Sequence, residues 1–333
     1  MAVGVVVVTY HAGDVILDCL ESLLASTDCD LRVVVVDNAS KDDTVDVIKQ
    51  WAQNPEHWTV RDDSPFTPHT HGPVKLVDHV PGPGGDEIGL ICSAVNTGFA
   101  GGVNIGLRHL LEDPDIENFW ILNPDCVAEN KTAATLVDFA STSGPFSLIS
   151  GRVYFKTPRH MIQSDGGAIN FLTGICNPYN LFRQGPDVTP PANETLDYVT
   201  GSHMFVSRAF LEQTGLMRED FFLYYEEIDW CCRRGDLPML FCVQAAVHHD
   251  GGHSLGSAGV DSGPSAMAAY FMGRSRMRFM WSHRPLALPV AYMYSVAKSL
   301  KFLVKGQAQA CSAMLRGISG LPAPRAVQER LKN

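Results

Sequence analysis

Three polar clusters in this 333-residue chain combine residue types that hold a cation or move a proton. The first is Asn123-Pro124-Asp125, which breaks the apolar run Phe119-Trp120-Ile121-Leu122. Such a run reads as a buried strand ending in a turn, and Asp125 then lies just past the carboxyl edge of a sheet. A carboxylate at that edge can hold a hard divalent cation, which in turn can hold a diphosphate. It can equally cap a helix beginning near Glu129. The second cluster, Glu226-Glu227-Ile228-Asp229, follows the aromatic run Phe221-Phe222-Leu223-Tyr224-Tyr225. Acids at a helix start are favoured by the dipole whatever their chemistry. An aromatic wall and acid neighbours also raise a carboxyl pKa toward that of a general base. The third cluster is Val247-His248-His249-Asp250-Gly251-Gly252-His253-Ser254, where a strand-end histidine could serve as a metal ligand.

The elements that must position these groups are readable upstream. Val3 to Val8 is a continuous β-branched run, as expected of a strand buried on both faces of a parallel sheet. A helix over 14–24, a second buried strand over 31–36 ending in Asp37-Asn38-Ala39-Ser40, and a helix over 42–51 follow. This β-α-β-α order predicts parallel strands with right-handed crossovers, a nucleotide-binding type of half-domain. Thr9, Tyr10 and Asp37 then share the sheet edge of Asp125. Residues 61–89 read as a surface loop in which His69 and His71 are solvated, and 88–94 as a short third strand. Asn96 to Gly106 reads as a glycine-rich turn feeding a helix through Leu111, where glycines allow close backbone approach and the helix start favours an anion. No Gly-Lys-Ser/Thr follows, so it is not a P-loop. Further on, the pattern predicts a helix over 129–140, a strand over 146–150, loops over 156–195, a strand over 198–206 with a polar interruption, and a helix over 208–214.

Composition narrows the partners. A net charge of −10 leaves no basic surplus for sequence-independent nucleic-acid binding, so an anionic ligand must be held by local devices. The nine cysteines show no CxxC spacing, which predicts free thiols in a reducing compartment and no structural zinc. Val3 to Val8 is too short for a signal core, and 285–304 is interrupted by Ser295, Lys298, Ser299 and Lys301, so neither a leader nor a membrane-spanning helix is expected.

Taken in order, Val-Thr-Tyr, Val-Asp-Asn-Ala-Ser, Asn-Thr-Gly-Phe-Ala-Gly-Gly, Asn-Pro-Asp, Phe-Leu-Tyr-Tyr-Glu-Glu-Ile-Asp and His-x-x-Gly-x-Ser resemble the family 2 inverting glycosyltransferases, in particular their rhamnosyltransferase-like branch. The resemblance covers about residues 3–320 and implies an α/β GT-A fold: a Rossmann-like nucleotide-binding half with a mostly parallel sheet, fused to an acceptor half. It divides the chain into a catalytic unit over 1–285 (nucleotide-sugar half 1–127, acceptor half 128–285) and a helical extension over 286–333. By position it implies that Thr9, Tyr10 and Asp37 contact the nucleotide, and that Asn96, Gly98, Phe99, Gly101 and Gly102 line its pocket. Asp125 matches the last acid of the family's metal motif, with Asn123 in place of the first acid. His249 matches the metal-ligand histidine, with His248 as fallback. Glu227 matches the general base, usually Asp, with Glu226 or Asp229 as substitutes. Arg274 and Arg276 resemble a basic segment meeting phosphate or acceptor, and read equally as part of a plain amphipathic helix.

The implied reaction is single displacement from a nucleotide-diphosphate sugar, dTDP-rhamnose or a UDP-sugar, to a saccharide or lipid-linked glycan acceptor, assisted by Mg2+ or Mn2+. The implied setting is cell-envelope polysaccharide assembly in the cytoplasm or on the inner membrane face. A sugar-1-phosphate nucleotidyltransferase shares such a half but needs Arg and Lys right after the first strand, and 9–15 holds neither. A degenerate sugar-binding or scaffold member is the non-enzymatic alternative. Residues 287–318 read as a helix pair packing on the catalytic unit or a dimer partner, or as an amphipathic membrane-surface helix.

Overall fold

The computed structural model describes residues 2–61, 63–251 and 263–332. Its strands are β1 Ala2–Thr9, β2 Asp30–Asp37, β3 Lys75–Val77, β4 Glu87–Cys92, β5 Ile116–Leu122, β6 Cys126–Ala128, β7 Leu148–Phe155, β8 Ile162–Ser164, β9 Gly167–Asn170, β10 Ile175–Pro178, β11 His203–Ser207 and β12 Leu240–His249. Its helices are α1 Ile16–Leu24, α2 Thr44–Gln53, α3 Gly98–Leu110, α4 Thr132–Ser143, α5 Arg208–Thr214, α6 Glu226–Cys232, α7 Ala266–His283, α8 Leu288–Val304, α9 Ala308–Ile318 and α10 Arg325–Lys332. One sheet runs β3-β4-β2-β1-β5-β11-β7-β12-β6, with β8 added alongside β7. β3, β4, β2, β1 and β5 are mutually parallel, β11 is antiparallel to both β5 and β7, and β12 is parallel to β7. The mixed α/β architecture with a mostly parallel sheet is the one expected.

All eight residues of β1 are buried because both faces of the strand are covered. Val3, Val5 and Val7 pack with Ile16, Leu20 and Ile48 of α1 and α2, whereas Val6 and Val8 pack with Val103 and Leu107 of α3. The two-residue alternation of a strand thus divides one apolar run between two cores. Each such fully buried valine contributes roughly 1.5–3 kcal/mol of transfer free energy. A third cluster joins Tyr270 and Phe271 of α7 to Ala313 and Met314 of α9. It packs the C-terminal helices onto the protein.

Several elements differ from expectation. Residues 61–89 contain β3, which extends the sheet edge beyond β4. The loops over 156–195 contain β8, β9 and β10. In the expected strand over 198–206, Tyr198 makes only an isolated bridge to Gly167, a turn closed by His203 N and the Thr200 carbonyl follows, and β11 begins at His203. The helix expected from 129 begins at Thr132 after β6, and its N-cap is Lys131, so Asp125 is not the cap of that helix. The glycine-rich turn is already helix: Gly101, Gly102 and Gly106 lie within α3.

Those glycines serve close packing against the sheet. A Cβ on Gly102 would lie 2.5 Å from Val8 Cγ1, and one on Gly106 2.6 Å from Val6 Cγ1 and 3.3 Å from Val36 Cγ2. Valine is stiff at χ1 and buried on all sides, so the helix would have to lift. Gly106→Val should therefore lower unfolding free energy by about 1–3 kcal/mol, read as a reduced urea midpoint. An unchanged midpoint would mean that the α3–β1 seam yields more easily than its packing implies.

Candidate active site

The carboxyl ends of β1, β2 and β5 open into a cavity of about 430 Å³. Its far side is closed by the turn Thr200-Gly201-Ser202 and the segment Phe222–Tyr224 ahead of α6. Asn38, just past β2, ties the near side together: Nδ2 donates to the Gly98 carbonyl at 2.9 Å, and Oδ1 accepts from Thr97 N at 2.9 Å. Gly98 has φ +75°, and a Cβ there would overlap the Phe222 carbonyl, to which Phe99 N donates at 2.9 Å. Only glycine permits both the backbone angle and the approach.

Tyr10, Asn96, Gly98, Phe99 and Asn123 line the cavity. Thr9 and Asp37 do not line it. Thr9 Oγ1 donates to Asp37 Oδ1 at 3.1 Å and Ser40 N donates to Asp37 Oδ2 at 3.1 Å, so the buried pair joins the ends of β1 and β2. Gly101 and Gly102 are likewise absent from the lining, since they face α3's own first turn and the sheet.

Asp125 and His249 meet across the cavity: His249 Nε2 lies 3.1 Å from Asp125 Oδ1. His249 Nδ1 lies 2.6 Å from Gln163 Oε1, an acceptor, so Nδ1 carries the proton and donates. Nε2, Asp125 Oδ1 and the neighbouring Cys126 thiol are grouped closely enough for a cation to be held among them. Asn123 completes the set, with a buried Oδ1 that lacks a hydrogen-bond partner and an Nδ2 3.3 Å from His249 Nε2. Cys126 Sγ lies within 4.8 Å of the Asp125 and His249 ligand atoms. However, burial and then the Asp125 charge push its thiol pKa well up, and it donates to the Ser202 carbonyl at 3.4 Å. Carboxylate, amide oxygen and imidazole fit a hard or borderline divalent ion. The fallback His248 points to the other face of β12. It stacks on Tyr154 at 5.4 Å, and its Nε2 lies 3.3 Å from Glu129 Oε1. Gly252, His253 and Ser254 of the third motif lie outside the described residues.

The three acids of the second motif separate. Glu226 and Glu227 line the cavity, but Asp229 does not. Burial, partly offset by backbone N–H groups at the start of α6, pushes the half-buried Glu227 carboxyl up to about 7. Burial and then the neighbouring Glu227 charge raise Glu226 well above its ordinary value, and its Oε2 has no hydrogen-bond partner. A Cβ on Gly201 would lie 3.6 Å from Glu227 Cδ and 3.7 Å from the Phe99 ring, so these residues share one wall. Asp229, fully buried, accepts from His283 Nε2 at 2.8 Å and Arg233 Nε at 2.7 Å. Burial alone would raise its pKa, but these hydrogen bonds outweigh burial and hold it below the usual carboxylate range. A carboxylate so engaged is a structural anion and not a substitute base.

Gln163 and the Thr200-Gly201-Ser202 turn carry no signal of their own in the sequence. Gln163 falls in a stretch that reads as loop, and the turn reads as a polar flaw within a strand. The acid pair makes a prediction. A carboxyl whose native pKa stands above its unfolded value of 4.5 gives stability that is full below that value and lost as pH rises toward the native pKa. Glu226→Gln should therefore raise the melting temperature at pH 8 in metal-free buffer, with little change at pH 4. A loss at pH 8 would show that the Glu226 charge is compensated in the native state.

Known proteins share both the sequence pattern and the fold. Residues 4–64 match the family model described as Glycosyl transferase family 2. The Haloferax volcanii low-salt glycan biosynthesis hexosyltransferase Agl10 is 30% identical over 176 residues, 49% of this chain and 52% of that protein. The chain thus matches about half the length of that relative. A Mycobacterium tuberculosis N-acetylglucosaminyl-diphospho-decaprenol L-rhamnosyltransferase is 24% identical over 271 residues, 76% of this chain and 77% of that protein. Among solved structures, a mannosyltransferase from Pyrobaculum calidifontis in complex with GDP-Man and Mn2+ superposes with a TM-score of 0.51 at 15% identity, covering 99% of this chain and 79% of that one. Over residues 4–64 the chain is thus similar to glycosyl transferase family 2, and its fold is the mixed α/β GT-A architecture of that solved mannosyltransferase.

Proposed function

We propose that the protein transfers a sugar from a nucleoside-diphosphate donor to a hydroxyl of a saccharide or lipid-linked glycan, with inversion. The observation that carries this reading is the convergence in one cavity of a cation-binding set, Asp125, His249 and Asn123, with a carboxyl poised near neutrality, Glu227. Tyr10, Asn96, Gly98 and Phe99 hold the donor against the sheet edge. Mg2+ or Mn2+, when bound, neutralises the diphosphate leaving group. Glu227 takes the proton of the acceptor hydroxyl. The acceptor oxygen forms its bond to the anomeric carbon as the bond to the diphosphate oxygen breaks, and that electron pair leaves with the nucleoside diphosphate. Asp125 and His249 orient the diphosphate, and the aromatic wall around Glu227 excludes water, which keeps its pKa high enough for proton transfer.

The structural neighbour crystallised with GDP-Man and Mn2+ supports a nucleotide-sugar donor and a metal site. The rhamnosyltransferase relative, named for transfer to N-acetylglucosaminyl-diphospho-decaprenol, supports a rhamnosyl donor and a lipid-linked diphosphate acceptor. Glu227→Gln should lower kcat by about 100-fold or more while leaving donor affinity intact, and wild-type kcat should fall tenfold per pH unit below about pH 7. In parallel, one donor should raise the wild-type melting temperature with Mn2+ or Mg2+ but not with chelator. Loss of donor binding in the Gln variant would move the base elsewhere. A metal-independent shift without turnover would favour a sugar-binding member.

The C-terminal helices bear on where the acceptor is met. Among the described residues no helix is long and apolar enough to cross a membrane. Helix α8 buries a seam of small residues, Ala291, Ser295 and Ser299, and turns Val290, Met293, Leu300, Leu303 and Val304 outward beside the exposed Lys301 and Lys305. This outward apolar row with flanking lysines supports peripheral contact with an anionic membrane. Flotation with liposomes containing anionic lipid is expected, weakening at high salt. Absence of flotation, with a dimer by light scattering, would assign the face to a second copy.

A further inference from the structure

A second cavity, of about 210 Å³, shares Tyr224 and Glu227 with the main one and is walled by α7, α8 and α9 through Arg276, Lys298 and Met314. Arg276 is only 2% exposed, and its Nε and Nη2 are buried with no hydrogen-bond partner. A guanidinium does not lose its proton, so neutralisation offers it no relief. Lys298, half-buried on α8, lines the same cavity, and burial together with the positive field of Arg276 pushes its ammonium pKa down. Among the described residues no carboxylate forms an ion pair with either cation, and Glu227 is the one acid lining the cavity. Two neighbouring cations, of which Arg276 has unsatisfied buried donors, cost free energy unless an anion with several acceptor oxygens joins them. A phosphoryl group is such an anion, since guanidinium meets it with paired N–H bonds and ammonium with a point charge.

We infer that this pocket binds a phosphoryl group carried by the acceptor, so that the acceptor's hydroxyl reaches Glu227 through the wall the two cavities share. The inference rests on Glu227 being the base, as proposed above, and adds the place where an acceptor phosphate is held, between Arg276 and Lys298. Lys298 projects from α8, the helix whose outer face is apolar, so a phosphate here lies at the root of the surface suited to a lipid chain.

The test is calorimetric titration in chelator, so that the donor site holds no metal, with inorganic pyrophosphate and with geranyl diphosphate as probes. Wild-type protein should bind both. Lys298→Ala and Arg276→Gln should each weaken binding at least tenfold, while Asp125→Asn, outside this pocket, should retain it. Tighter binding of geranyl diphosphate than of pyrophosphate identifies a lipid-linked source, and equal affinity an unlipidated phosphate. Failure of wild-type protein to bind either probe, or undiminished binding by Lys298→Ala, overturns the pocket. Should Arg276→Gln prove unfolded by circular dichroism, Lys298→Ala at the half-buried wall carries the test. Turnover of the Glu227→Gln variant is read separately. Anion binding lost with turnover dependence intact removes the pocket alone, and the reverse removes the transferase reading alone.

Discussion

The contact between Gly98 and the Phe222 carbonyl sets the shape of everything around it. Phe99 N donates to that carbonyl, while Phe222, Tyr224 and Tyr225 all hold φ between 65° and 71°. Bulky side chains in the left-handed region cost on the order of 1 kcal/mol or more each and persist only where surrounding structure compels them. Here the compulsion is visible: Tyr225 donates to the Gly174 carbonyl at 2.5 Å, and Ser275 Oγ donates to the Leu223 carbonyl at 2.8 Å. The strained segment delivers Glu226 and Glu227 into the cavity at the first turn of α6 and leaves Asp229 on another side of the helix, turned into its ion cluster.

The metal-ligand side is built by a different device. His249 ends β12 and Asn123 follows β5, strands on different sides of β11, and their side chains meet through 126 positions of sequence. Gln163, next to the β7 edge, fixes the tautomer of His249. On this side the Asn123 oxygen is left without a hydrogen-bond partner, and on the acid side so is Glu226 Oε2. One wall thus gathers groups able to ligate a cation, and the other holds carboxyls whose pKa burial raises.

Much of this is legible in the chain. Val3–Val8 and Leu31–Val36 announce strands covered on both faces because nearly every residue must be apolar there. Asp125, His249, Glu226 and Glu227 stand where apolar periodicity breaks, which marks the ends of elements, and ends are where sites lie. What stays hidden depends on direction and pairing. Whether Gly102 faces a ligand or Val8 is decided by the start of α3, a single-residue matter no composition reveals. Asp229 differs from Glu227 only by half a helical turn and by an arginine and a histidine, Arg233 and His283, the latter 54 positions away. The Arg276–Lys298 pocket requires three helices to converge. In the sequence its arginine is simply one of several on an amphipathic helix.

The strand order has a consequence for how the molecule can be divided. Strand β11 lies between β5 and β7, so the first five strands end on an open edge until the segment beginning at His203 joins them. Phe119, Trp120 and Ile121 on that edge are fully buried only once β11 is in place. Cut after position 128, the nucleotide half would present unpaired amides and carbonyls along an aromatic strand, the kind of edge that recruits another chain. The first five strands are therefore not a self-contained sheet: their β5 edge is completed by a strand that arrives about eighty residues later in the chain.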